Sequence, residues 1–191
     1  MRTKVLALTF ASLLALPAAA QAAEGGLGVG GLEFLMGFGG SSEFDFDNGS
    51  KAEQDMSITW GIVPWIEQAL GRSVGIGAEM MFLWVTPDKG DHDRQLVMSP
   101  HARVRMSFPI INKVTFDGML GVGGTIWTED DAGNDTRFGW SLRFGFGGSY
   151  AINDVVSAYG MLGYYRSTTY GDDITATLDM VPLSLGLRGN F

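Results

Sequence analysis

From residue 27 to Phe191, apolar side chains recur at every second position in run after run. A period of two marks a β-strand, whose side chains point alternately to opposite faces. Eight runs fall at 27–39, 55–63, 73–85, 96–108, 113–127, 138–150, 155–167 and 179–191. The first carries Leu32, Phe34, Met36 and Phe38 on one face, and the second Met56, Ile58, Trp60 and Ile62. The third carries Val74, Ile76, Met80, Phe82 and Trp84, and the eighth Val181, Leu183, Leu185 and Leu187. The seventh is ambiguous, with apolar and aromatic residues on both faces.

The connections alternate in character. Residues 40–54, 86–95, 128–137 and 168–178 are long and acidic, whereas 64–72, 109–112 and 151–154 are shorter or less charged. After the N-terminal run, no apolar stretch is long enough for a helix through a bilayer. A span must then be a closed barrel, because only helices and closed barrels pair every backbone N–H and C=O inside lipid. The expected fold is all-β: an eight-stranded antiparallel up-and-down transmembrane β-barrel, with long loops at one end and short turns at the other.

The face opposite the apolar one carries paired glycines together with Glu33, Glu79, His101, Arg103, Arg105, Asp117, Arg143 and Arg188. An eight-stranded barrel has room inside only for side chains. Long arginines fit there if many neighbours are small, and mixed charges allow each ion a partner. Counting from the connections sets Glu79 beside His101 or Arg103, and Asp117 beside Arg105. A structural plug is the expected role of this network; a gate or narrow ion path is the alternative. The rival fold is a soluble barrel with its polar face outward. Lysine argues against it: beyond Lys4 there are only Lys51, Lys89 and Lys113, all in connections or at a strand edge. A wetted strand surface uses lysine freely. Trp60, Trp84 and Trp140 on the apolar face, with Trp65 and Trp127 near strand ends, suit an interfacial girdle.

Residues 1–22 read as a cleaved secretory signal: Arg2 and Lys4, an apolar run from Val5 to Leu16, Pro17, then Ala20-Gln21-Ala22. The barrel is expected to fill 23–191. The chain has no cysteine, which excludes a lipid anchor on that residue and any disulfide. Removing the signal leaves 11 basic against 21 acidic residues, a charge of −10, which argues against nucleic acid.

The signal, the strand rhythm, the glycine-rich Gly28-Val29-Gly30-Gly31-Leu32-Glu33-Phe34 and the terminal Phe191 behind Leu183, Leu185 and Leu187 resemble the outer-membrane β-barrel domain family. The similarity is to its small members, the OmpX-like barrels and the transmembrane domain of OmpA. It implies a Gram-negative outer membrane, with outer-membrane lipid and lipopolysaccharide as surroundings and both termini in the periplasm. It also implies that Phe191 helps the barrel-assembly machinery recognise its substrate. Gly189 departs from the pattern, standing where an aromatic is common.

Two further constellations bear on chemistry. Ser99 and His101 share a face with Glu79 nearby, which is the general arrangement of an activated hydroxyl. They face the lumen, where a lipid chain cannot enter and the arginines compete for the carboxylate, so no catalytic residue is assigned. A lipid A hydrolase and a minor channel remain alternatives to a structural or surface-interacting barrel. The acidic loops read as a solvated rim with weak attraction for divalent cations. Asp45-Phe46-Asp47-Asn48-Gly49 begins like a calcium loop but lacks the closing glutamate. No cofactor or metal motif is present.

Overall fold

Antiparallel pairing runs through a complete ring of strands. The computed structural model describes residues 28–71, 73–86, 95–128, 136–171 and 173–190. They form β1 (Gly28–Phe46), β2 (Lys51–Asp55), β3 (Thr59–Leu70), β4 (Val74–Val85), β5 (Gln95–Ile111), β6 (Val114–Thr128), β7 (Thr136–Ala151), β8 (Val156–Tyr170) and β9 (Ile174–Asn190). Each strand from β3 to β9 pairs with the next, and β1 pairs with both β3 and β9. The result is a closed eight-stranded barrel, because β2 and β3 are two pieces of one barrel strand. Between them, Met56 donates its N–H to the Gly40 carbonyl (2.8 Å) and Ser57 to that of Thr86 (3.0 Å). Opposite this break, β1 shifts register between Phe38 and Ser41, with Gly39 at φ 59°. A left-handed residue there suits glycine, which has no Cβ to clash.

The register fixes the shape. From Phe38 the partners run through Val181, Tyr164, Phe144, Leu120, Val104, Ile76 and Gln68, and return to β1 at Gly28. The path closes ten residues from its start, 38 to 28. Eight strands with that stagger tilt by about 40° from the barrel axis. Phe38, Trp60, Trp84 and Trp140 then lie at nearly one height, with Trp60 stacked on Trp84 (4.3 Å between centroids). Leu70, Phe108, Phe116 and Tyr150 lie about ten residues lower, or about 25 Å along the axis. Between these rings the outer face is apolar and exposed, as at Leu32, Phe144, Leu162 and Leu185. No charged side chain lies there among the described residues. A 25 Å band with aromatic edges matches the hydrocarbon of an outer membrane.

Several expectations need correction. The second strand, expected at 55–63, runs to Leu70, so most of the turn expected at 64–72 is strand, and β4 begins at Val74. Pro64 resembles a strand breaker, yet it sits in the barrel wall opposite Leu32 and interrupts the ladder toward β4 without shifting it. Trp65 and Trp127 are inside, 5% and 1% exposed, rather than in a girdle, and Met56 is buried rather than lipid-facing. The loops expected at 40–54 and 168–178 are largely strand: β1 reaches Phe46, β8 reaches Tyr170 and β9 begins at Ile174. Their inward residues still alternate, as Ala176, Leu178 and Met180 do, while the outward ones turn polar. The calcium-like segment is a tight turn in which Asn48 accepts from the Ser50 N–H (2.9 Å). The ambiguous seventh run resolves with Tyr159, Met161 and Tyr165 inward. The signal, Phe191, and the loop residues 87–94 and 129–135 lie outside the described residues.

A closed ladder resists SDS until it is heated. Unheated protein should therefore run on a gel at a mobility distinct from boiled protein; identical mobilities would contradict the closed ring.

Candidate functional site: the charged lumen

The odd-numbered side chains of β3 to β8 point inward, and by height they divide the lumen into two zones. Toward the loop end lies an apolar plug of Leu35, Val63, Met81, Leu83, Val85, Val97, Trp127, Leu178 and Met180, with Phe44 against it. The middle and turn-end half hold ions.

All eight ionisable side chains expected in the lumen meet there in one network. Arg143 is paired with Glu33 and with Glu79 (3.2 Å), and donates to Ser184 (3.1 Å). Glu79 also accepts from Arg103 (2.9 Å) and meets His101 Nδ1 (2.9 Å). The two are register partners, Glu79 opposite His101. Arg103 lies over the Trp65 ring at 4.3 Å, a cation–π distance. Arg188 donates to Asp117 (3.2 Å) and to Ser149 (2.8 Å). Asp117 is opposite Ser107, not Arg105, because β5 runs on to Ile111 and the turn expected at 109–112 lies at residues 112 and 113. Arg105 still reaches it: its guanidinium is 3.5 Å away and also donates to Ser107, which donates on to Asp117 (2.5 Å).

The keystone of the network is a residue that sequence reasoning placed in a turn. Glu67 accepts from Arg103 Nε (2.5 Å) and Arg105 Nε (2.7 Å), joining the two halves. Its signal was present: Gly61, Val63, Trp65 and Glu67 keep the period of two through Pro64. Gly75 on the next strand makes the space. A Cβ there would lie 2.6 Å from Glu67 Oε2. With Glu67 counted, four carboxylates face four guanidiniums. Tyr159 also takes part, donating to Glu33 (3.2 Å) and accepting from Trp65 Nε1 (2.8 Å).

His101 bears on catalysis. Ser99 turns away from it, toward Thr125 (3.0 Å) and Tyr165 (2.8 Å). Instead His101 Nε2 meets Ser141 Oγ (2.8 Å), and Ser141 donates to the Gly124 carbonyl (2.8 Å). Carboxylate, imidazole and hydroxyl are thus in line, but Glu79, His101 and Ser141 are 2%, 1% and 0% exposed. No substrate atom can reach the hydroxyl, so the arrangement serves as part of the packing.

A closed barrel with an apolar belt and a salt-bridged interior defines a small integral membrane barrel. Residues 6–191 match the outer membrane protein beta-barrel domain, and the chain belongs to that family. No curated relative matches it. Among solved structures it is similar to Neisserial surface protein A, at 15% identity and TM-score 0.57, covering 88% of this chain and 100% of that one. It is also similar to OprG from Pseudomonas aeruginosa (15%, TM-score 0.55, covering 87% and 96%). The AlkL outer membrane protein aligns likewise (15%, TM-score 0.55, covering 87% and 90%). At these identities the likeness is one of fold.

Glu67→Gln should cost about 3–5 kcal/mol, since it leaves Arg103 and Arg105 without their shared buried carboxylate. Adding Arg105→Met to Glu67→Gln should cost less than the sum of the two single changes. Urea unfolding of the lipid-refolded barrel measures both, and additive losses would show that the pair is not coupled.

Proposed function

We propose that this protein is a closed structural or surface-interacting barrel of the Gram-negative outer membrane, not an enzyme. The observation that carries the reading is the filled lumen: an apolar plug that includes Trp127 above a network in which each ion is paired. The plug is predominantly apolar, the hydroxyls of Ser99, Thr125 and Tyr165 beside it bond to one another, and moving the ions apart would strand charges in a low-dielectric interior. A minor channel would need both obstacles removed.

The first and last described residues, Gly28 and Asn190, lie at the turn end; with an N-terminus delivered by secretion, that end would face the periplasm and the loop end the cell surface. There β1, β2, β8 and β9 carry the sheet beyond the belt. Glu43, Glu53 and Asp55 are exposed on it, and Lys51 pairs with Asp45 (2.7 Å) and Glu43 (3.3 Å). Hydrogen bonding to Asp45 and then Glu43 raises the Lys51 ammonium pKa above its usual value. This acidic projection is the surface available for contact, including divalent cations shared weakly with lipopolysaccharide phosphates. In this reading Phe191 serves recognition by the barrel-assembly machinery.

Planar bilayers test the lumen: the purified barrel should give no unitary conductance, and regular single-channel steps would overturn the closed reading. The chain lacks cysteine, so Asp47→Cys at the hairpin tip supplies a unique label site. An impermeant maleimide should modify it on intact cells; labelling only after lysis would reverse the proposed orientation.

A further inference from the structure

Among the described residues, the turn end of the barrel is not sealed as the loop end is. It opens into a vestibule of about 390 Å³ whose walls include Ile110, Ile111, Lys113, Ser149, Ser157 and Arg188. That is within the range of small-ligand pockets, roughly 300–1,000 Å³. Behind Arg188 the lumen narrows among Arg105, Asp117 and Trp65 until no water fits. A ligand entering from this side therefore stops at Arg188.

The chemistry of the walls is specific. Arg188 is held in place by Asp117 (3.2 Å) and Ser149 (2.8 Å), which occupy two of the five N–H donors of its guanidinium. Among the described residues Asp117 is the one carboxylate in contact with it, and Arg105 shares that carboxylate (3.5 Å). Lys113 adds a second cation to the wall and has no carboxylate in ion-pair reach among the described residues. Its backbone is left-handed, with φ 70°, a conformation that suits glycine or asparagine. A lysine is thus kept in the turn against its backbone preference, at the edge of a cationic cavity. At the rim of the vestibule Ile110 and Ile111 are 63% and 68% exposed, beyond Phe108 on β5.

We propose that this vestibule binds a net-anionic phosphate group, carried by the headgroup of an anionic phospholipid in the adjoining leaflet or by a small soluble phosphate ester. Arg188 supplies fixed donors, Lys113 a mobile charge, and Ser149 and Ser157 neutral hydroxyls. The pairing follows the preference of guanidinium and ammonium for phosphate oxygens. The exposed isoleucines would lie against the acyl chains of a bound lipid. The lipid source rests on the membrane reading above; the phosphate chemistry rests on the cavity alone.

The test uses the refolded full barrel and three probes: phosphatidylglycerol, phosphatidylcholine and glycerol 3-phosphate. Native mass spectrometry reads retained lipid, and isothermal calorimetry reads the soluble ester. Lys113→Gly is the decisive variant, because glycine fits the left-handed backbone and the barrel should fold at least as well, as heat-modifiability checks. Retention of phosphatidylglycerol over phosphatidylcholine, falling about tenfold in Lys113→Gly and kept in Lys113→Arg, supports the lipid source. Binding of glycerol 3-phosphate with the same dependence on Lys113 supports the soluble source. Equal retention of both lipids with no binding of the ester, or probe binding unchanged in Lys113→Gly, overturns the proposal. A conducting barrel would overturn the closed-lumen reading and leave this result standing.

Discussion

Arg103 binds the interior to the wall. It projects from β5, yet its contacts are Glu67 and Trp65 on β3, Glu79 on β4 and, at 3.9 Å, Glu33 on β1. A guanidinium can do this because its planar fork offers several directed donors and a flat face for stacking. In lipid there is no second solvent to satisfy a stray charge, so each carboxylate brought inside must find such a partner. The ten-residue stagger sets the lumen width, and the width requires long side chains to cross it. Small residues must then sit where those side chains pass, as Gly75 does beneath Glu67.

The zoning of the lumen follows from the same constraint. Ions concentrated in the middle and turn-end half can neutralise one another over short distances. The loop-end half, which lacks them, is closed by van der Waals packing of Trp127, Leu83, Val85 and Leu178. A water column would have to cross both zones. The two ends therefore differ in kind: the loop end is sealed by apolar packing, whereas the turn end leaves Arg188 reachable from solvent.

Much of this was legible in the period of two, because lipid and lumen place opposite demands on alternate residues. The eight lumen ions could be named for that reason. What escaped the sequence came from three physical sources. Pro64 lacks an N–H and reads as a terminus, but a barrel wall tolerates one lost rung if its neighbours hold register, and so Glu67 was assigned to a turn. Above the belt, outward positions meet water, and Thr175 and Thr177 read as loop although the inward alternation continues through Ala176, Leu178 and Met180. The register of Asp117 depended on β5 continuing through Pro109 to Ile111, where the proline and the short polar run read as a turn. Trp65 and Trp127 show a further limit: a tryptophan near a strand end suits a girdle or a lumen equally, and only its parity in the strand decides.

Parity also explains why the serine beside His101 is not the one two residues away. Ser99 and His101 share a face, but their side chains sit about 7 Å apart along the strand, and each bonds to residues of different strands. Ser99 goes to Thr125 and Tyr165, and His101 to Ser141 on β7. In a narrow barrel, same-face neighbours on one strand interact less than residues on strands that face each other through the interior. A catalytic alignment can therefore arise as a by-product of satisfying buried hydrogen bonds. What separates it from an active site is access, and Ser141 has none.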